Sequence, residues 1–344
     1  MAALLTPKVL EVRAAAPGEG AAIAGLWREL WDAHEAWGGY TGTRDPKVYA
    51  EVARRLDEDA RVRMGQPVLG RHIHLVCEHA GAMVGQVEGW FEKHGWEEAT
   101  PCTCEVRSLI VTGASRARGA GRELLDVLAR YAAYLARGPC VLAAEVLEDN
   151  PAQAFYAKIG YRSVSYSARI EAVRAATLPS PGDLVARTAR PDDALSLARL
   201  ESVLARRRRL QRDMRFDRPR AVEATLVGAI AAHLARPTGP ADPVELVVTD
   251  PRGQVRAGAT LVVSPLDPPF VPAKRALLGR ITTDPALHPR PLLDALLRVA
   301  GRLAVSRGAP LMEITDLDIP PGILHESALA TGAVRWSRVV EKMA

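Results

Sequence analysis

The stretch Val106-Arg-Ser-Leu-Ile-Val-Thr-Gly113, then Arg116-Ala-Arg-Gly-Ala-Gly121 and, after a long amphipathic segment, Asn150-Pro-Ala-Gln-Ala-Phe-Tyr-Ala-Lys-Ile-Gly-Tyr161, decides how this chain is read. Its first part is an apolar run of strand length that ends at a threonine and a glycine. Leu124, Leu128, Tyr131 and Leu135, with Leu125 and Ala132 beside them, recur at three- and four-residue spacing and predict a half-buried helix. A helix start leaves backbone N–H groups unpaired at the positive end of the macrodipole, so phosphate settles there readily. Gly119 and Gly121 let a diphosphate come against the backbone, and Arg116, Arg118 and Arg122 add cationic charge. On its own the turn also reads as an arginine-rich connection between strand and helix.

The second motif adds to the first. Val141 to Leu147 reads as a buried strand, and Asp149-Asn150-Pro151 as a helix start with proline at the first position. Ala154, Phe155 and Ile159 supply an apolar stripe, Gly160 ends the short helix, and a strand follows from Tyr161 to Ile170. Tyr156 is left near the turn that faces the glycine site.

These residues resemble the GNAT N-acetyltransferase superfamily. Arg116, Gly119 and Gly121 match its Gln/Arg-x-x-Gly-x-Gly/Ala motif, and Asn150, Ala154, Phe155-Tyr156 and Gly160-Tyr161 match its later pattern, over roughly residues 8 to 170. The resemblance implies an α/β (α+β) fold whose mixed, mostly antiparallel central sheet is flanked by helices, with acetyl-CoA as co-substrate. It implies cofactor contacts at Arg116, Ala117, Arg118, Gly119, Ala120, Gly121, Arg122 and Asn150, and pantetheine pairing with the backbone of Leu109, Ile110 and Val111. Tyr156 would touch the cofactor and protonate the departing thiolate. Glu105 lies eleven residues before Arg116, the separation at which the histone-acetyltransferase branch carries its catalytic glutamate. A carboxylate partly desolvated beside the cofactor takes a proton from an ammonium directly or through water. Many relatives have the acid two residues later, where this chain has Arg107, and Glu105 also reads as a solvated strand residue.

At 344 residues the chain suits two domains, and 48% hydrophobic content lets each form a core. No run of about 18 uncharged apolar residues is present, and the opening MAALLTPKVLEVR has too short an apolar patch for a secretory signal. Cys77, Cys102, Cys104 and Cys140 show no secreted disulfide framework, so a soluble, cytoplasmic product is expected. Cys102-x-Cys104 with His72 or His74 departs from the C-x-x-C spacing of zinc knuckles and reads as packing thiols, with no metal. Net charge +5 is concentrated at Arg206 to Arg209, Arg212, Arg215, Arg218 and Arg220. Asp213 and Asp217 interrupt this run and aromatics are only 5%, so it reads as a solvated helix face or an anion-attracting rim, with no nucleic acid or membrane as partner.

The chain also repeats itself. Val12-Arg-Ala-Ala-Ala-Pro-Gly-Glu19 and Ala186-Arg-Thr-Ala-Arg-Pro-Asp-Asp193 open two halves at an offset of 174, each followed by a helical pattern and a hairpin, turning near Gly81 and Gly253. The expected division is a cofactor-binding domain over 8–174, a Pro/Gly linker over 175–183 and a second domain over 184–344. At an offset of 172, Arg116, Gly119, Gly121 and Tyr156 fall opposite His288, Pro291, Leu293 and Ala328, while Gly160 falls opposite Gly332. Proline offers no N–H, leucine blocks close approach and alanine donates no proton. The resemblance thus extends to tandem GNAT proteins, with a degenerate second copy that packs, shapes the substrate cleft or forms a homodimer. His288 and His325 lack metal-ligand spacing and read as surface or helix-end residues.

An acceptor, in this fold, lies between the first two helices and the hairpins. Those segments carry Trp27, Trp31, Trp37, Tyr40, Trp90, Phe91 and Trp96, a flexible-looking Gly38 to Gly42 connection, and Glu88, Glu92, Glu97 and Glu98, which either attract a cationic amine or form a charged surface hairpin. The expected activity is acetyl transfer to a primary amine, small molecule or peptide, by direct attack in a ternary complex. A non-catalytic CoA-binding module acting through a partner is the alternative.

Overall fold

The computed structural model describes residues 10–92, 102–179, 182–216, 223–236, 239, 242–266, 270–319 and 322–344. Trp96, Glu97, Glu98, Asp217, Arg218, Arg220 and the side chain of Glu92 lie outside the described residues. The first half runs β1 (Leu10–Ala14), α1 (Gly20–Ala36), α2 (Pro46–Arg63), β2 (His72–His79), β3 (Ala82–Glu92), β4 (Cys102–Val111), α3 (Ala120–Ala136), β5 (Cys140–Leu147), α4 (Ala152–Lys158) and β6 (Arg162–Glu171). A short helix, α5 (Ala172–Ala176), leads into the second: β7 (Val185–Thr188), α6 (Ala194–Leu210), α7 (Glu223–Leu234), β8 (Val244–Thr249), β9 (Val255–Pro265), β10 (Lys274–Thr283), α8 (Pro289–Ser306), β11 (Leu311–Leu317), α9 (Ile323–Ala330) and β12 (Val334–Met343).

Local chemistry sets these elements. Asp45 accepts from the Lys47 N–H at 2.9 Å and Pro46 takes the first position of α2, which ends at Met64 in the left-handed region. The apolar stripe of α3 buries Leu124, Leu125, Leu128 and Ala132 against β2 to β5, each leucine contributing about 2 kcal/mol by removal from water. On the other face of β2, Val76 meets Ile23 and Trp31 of α1 and Val52 and Leu56 of α2. His288 does sit at a helix end, accepting from the Arg290 N–H as the N-cap of α8. His325 is fully buried inside α9 against Tyr166, so it is a packing residue and not a surface one.

The two halves build one sheet in the order β1-β2-β3-β4-β5-β12-β6-β11-β10-β9-β8-β7. The last strand of each half is given to the other: β12 lies between β5 and β6, and β6 lies between β12 and β11, all antiparallel. Among the described residues only β4–β5 and β10–β11 pair in parallel. The Gly38 to Gly42 connection, expected to be flexible, is instead pinned across the halves. Thr41–Gly42 pairs with Phe270–Val271, and the Gly38 carbonyl accepts from Arg169 and from the Trp336 indole, both at 3.2 Å. Tyr40 is buried, with its hydroxyl on Glu313 and the Arg169 guanidinium stacked 4.4 Å from its ring centroid. The arginine run is solvated only in part: Arg206 and Arg212 are exposed, whereas Arg208 and Arg215 are buried, and Arg215 pairs with Asp213 and Asp316.

Candidate active site

Strands β4 and β5 pair from Cys102–Cys140 as far as Val106–Ala144. Beyond that point β4 bulges: Ser108 adopts φ 49°, and the register with β3 slips by one residue between Gln86 and Glu88. The bulge turns β4 away from β5, so the Leu109, Ile110 and Val111 segment lines a cavity of ≈ 340 Å³. Leu30 and Ala33 of α1 and Trp37 at its C-cap form one wall; Arg116, Gly119, Gly121 and Arg122 form another; Asn150 and Phe155 close it.

The glycine turn has a more regular build than a loop. Residues Gly113–Arg118, Ala117 among them, form a 3₁₀ helix that Gly119 ends at φ 87°, a conformation that favours glycine, and Ala120 then starts α3. The Glu123 N–H bonds the Gly119 carbonyl at 3.0 Å, so the N–H groups before it precede the helix's own ladder. A Cβ on Gly121 would stand 3.3 Å from the Phe155 ring. Arg116 is held by its Nε donating to the Val111 carbonyl at 3.1 Å, and Asn150 caps α4 by accepting from the Ala152 N–H at 2.8 Å. Arg118 lies against the His79 ring at 3.1 Å and is not among the cavity-lining residues.

Two expected groups are placed elsewhere. Tyr156 is 6% exposed, with its ring centroid 5.5 Å from Phe155 and 5.1 Å from Tyr161; Phe155 lines the cavity and Tyr156 stands behind it. Burial pushes the Tyr156 phenol well above its ordinary ionisation, so it keeps its proton. Glu105 pairs with Arg107 at 2.5 Å and lines a separate cleft of ≈ 210 Å³ with Glu145, Arg215 and Asp316.

A larger cavity, ≈ 580 Å³, lies between α1, α2 and strands β2 to β4, where an acceptor was expected. It shares Leu30 with the first cavity, and Ser108 lines it while the next residue, Leu109, lines the other. Its walls include Trp27, Trp31 and Trp90, together with Phe270 from the second half, 5.7 Å from Trp31. Glu88, opposite Arg107 in the strand register, is buried and accepts from His72 Nε2 at 2.9 Å. The tautomer follows from the other ring nitrogen, which faces Arg63: a guanidinium only donates, so His72 Nδ1 accepts and Nε2 carries the proton. Burial opposes ionisation of Glu88, yet the His72 bond, both nearby imidazoles and the Ser108 hydroxyl hold its carboxyl below the usual range. Counting from Arg116 singled out Glu105; the β3–β4 register is the signal that finds Glu88.

Side chains fill the matching places of the second half. Arg280, at an offset of 172 from Ser108, repeats the bulge with φ 51°, but its side chain pairs with Glu201 at 2.8 Å beside a space of only ≈ 20 Å³. Arg207 donates to the carbonyl of Ile281, the counterpart of Leu109, at 3.1 Å and pairs with Asp318 at 3.1 Å. No group of three or more candidate metal ligands occurs among the described residues; the four cysteines are free thiols, with Cys102 beside Cys140 in register. No helix among them is long and apolar enough to cross a membrane.

Residues 70–163 match the sequence profile of the acetyltransferase (GNAT) domain. Comparison with curated proteins gives no match. A GCN5-related N-acetyltransferase from Sphaerobacter thermophilus superposes with a TM-score of 0.58 at 15% identity, covering 97% of this chain and 95% of that one. A GCN5-related glucosamine N-acetyltransferase region of a fungal multi-domain GH3 β-N-acetylglucosaminidase gives 0.57 at 12% identity, over 98% of this chain and 38% of that one.

Proposed function

We propose that the first half of this chain, whose residues 70–163 match the acetyltransferase (GNAT) domain, transfers the acetyl group of acetyl-CoA to a primary amine by direct attack in a ternary complex. The meeting of two chemically different cavities at one bulge supports this. One has exposed strand backbone and a glycine turn at a helix start; the other has an aromatic wall and an ionised carboxylate; they adjoin at Leu30 and at Ser108–Leu109. The donor set fits the nucleotide: helix-start N–H groups with Arg116 and Arg122 for the diphosphate, and the β4 edge for the pantetheine amides.

In this reading the thioester carbonyl lies by the bulged backbone, whose N–H groups polarise it. The acceptor's ammonium gives one proton to a carboxylate, and the freed lone pair attacks the carbonyl carbon. The N–C bond forms, the C–S bond breaks, and the thiolate takes up the proton shed by the new amide nitrogen, relayed through water; for the Tyr156 phenol, which does not line the cavity, to supply that proton the Phe155–Tyr156 pair has to shift toward it. Two carboxylates compete for the role of base: Glu88, inside the acceptor cavity, and Glu105, in the neighbouring cleft. The second half carries no second cofactor site in this reading and completes the acceptor wall through Phe270.

Calorimetry should give one acetyl-CoA per chain, and a free-thiol readout should show CoA release that requires an added amine. Binding without transfer across a broad amine panel would leave a CoA-binding module in place of an enzyme. Loss of amine turnover with acetyl-CoA affinity kept in Glu88→Gln but not in Glu105→Gln puts the base at Glu88; the reverse puts it at Glu105.

A further inference from the structure

Charges around the larger cavity are sorted by depth. The ionised Glu88, its His72 partner and the buried Arg63 guanidinium against that ring lie at the bottom, with Glu88 the carboxylate among them, beside the bulge where the transfer reading puts the acyl group. The mouth is cationic: Arg55, Arg71 and Arg107 are exposed there against the single carboxylate of Asp59. Arg55 pairs with Glu51 at 2.9 Å and Arg107 with Glu105, whereas Arg71, next to His72 in sequence, makes no ion pair among the described residues. The rest of the lining includes aromatic rings, with Trp90 stacked on His72 at 4.0 Å and 12° and Trp31 set edge-on to Phe270.

An acceptor that suits this gradient has an ammonium at one end, an apolar body, and an anionic group at the other end. A polyamine or an aminoglycoside would bring further positive charge beside Arg71, the mouth guanidinium that makes no ion pair among the described residues, and no anion to match it. A plain amine would fill the aromatic section but leave Arg71 unmatched. Resting on the acetyl-transfer reading above, we infer that the acceptor is a zwitterionic amine, an amino acid with an apolar or aromatic side chain, whose ammonium meets Glu88 and whose carboxylate meets Arg71. A guanidinium–carboxylate pair is charge-assisted and planar, which makes it a discriminating contact at a half-open site.

The experiment crosses two acceptors with two proteins. Phenylalanine and phenethylamine differ by the carboxylate, and wild type is compared with Arg71→Gln, an exposed substitution away from the acetyl-CoA cavity. Wild type should prefer phenylalanine by about tenfold or more in kcat/KM, the size of one charged hydrogen bond. In Arg71→Gln that preference should collapse through KM for phenylalanine, with phenethylamine turnover and acetyl-CoA affinity unchanged. A wild-type preference for phenethylamine or spermidine, or a preference for phenylalanine that survives Arg71→Gln, overturns the inference. If no amine releases CoA, the transfer reading fails separately. Calorimetric titration with phenylalanine then still decides the charge assignment, because affinity lost in Arg71→Gln supports it and equal affinity refutes it.

Discussion

The two halves of this chain share a backbone and differ in what fills it. Ser108 and Arg280, 172 residues apart, sit at matching bulges with φ 49° and 51°, and Gly160 and Gly332 turn at φ 92° and 88°. Each half keeps one parallel pair of strands, β4–β5 and β10–β11. In the first half the bulge opens onto cavities of ≈ 340 and ≈ 580 Å³; in the second, Arg207 occupies the Ile281 carbonyl and Arg280 with Glu201 leaves ≈ 20 Å³. Positive-φ positions and sheet pairing constrain every copy that must fold, whereas the cavity depends on a few side chains staying small. A scaffold of this kind is therefore weak evidence of a site, and the space within it is strong evidence.

The sharpest way to break the comparison is to give the first half the residue of the second. Gly121→Leu places a Cβ already 3.3 Å from the Phe155 ring and then adds three more carbons, which displace Phe155 into the cavity. Overpacking of this kind costs about 1–3 kcal/mol in stability, and acetyl-CoA affinity should fall by more than about 100-fold, since close approach to the helix start is lost. Calorimetry measures the affinity, and circular dichroism checks that the fold is kept. Near-native affinity would remove the glycine turn from the diphosphate site. The next effect is smaller. Tyr156→Phe keeps the ring packed against Phe155 and Tyr161 but removes its hydroxyl, so turnover should fall by about tenfold to a hundredfold, at or below the low end for general acids, with acetyl-CoA affinity unchanged. Equal turnover would mean that the thiolate draws its proton from water.

Periodicity and glycine placement made the local elements legible in the sequence: the glycine turn, α3, both hairpins, and the offset of 172 that aligns the two bulges. The exchange of β6 and β12 was not legible. Both strands have neighbours on either side in the middle of the sheet, and a strand's partner is chosen by register and packing, which no local composition records. Tyr40 looked like part of a mobile loop because its glycines are visible in the sequence and its partners, Glu313 and Arg169, are more than a hundred residues away. Counting along the sequence finds Glu105, but it leaves Glu88 undivided from Glu92, Glu97 and Glu98 as an amine-attracting or merely surface carboxylate, because the one-residue bulge that brings Glu88 beside Ser108 is a property of pairing. The burial of Arg208 and Arg215 was hidden for the same reason, since Asp316, one of the carboxylates that pair with Arg215, belongs to a distant strand.

The weakest expected effect concerns the contact that joins the halves. Glu313 is buried under Tyr40 with Arg275 3.2 Å away; burial pushes its carboxyl up to about 7, against the pull of Arg275. A raised carboxyl means that the folded chain holds a proton the unfolded chain has released, so this stability is complete below the unfolded value of 4.5 and is lost as pH rises through about 7. In Glu313→Gln the amide keeps the shape and cannot ionise. Wild type should therefore lose about 2 kcal/mol more than Glu313→Gln between pH 5 and pH 8, read as a difference in Tm between the two proteins at each pH. Glu341 and Glu245, also raised by burial, are common to both proteins and cancel. Parallel profiles would show that Glu313 is ionised throughout, and the Tyr40 contact would then be a salt-bridged hinge between halves and not a neutral one.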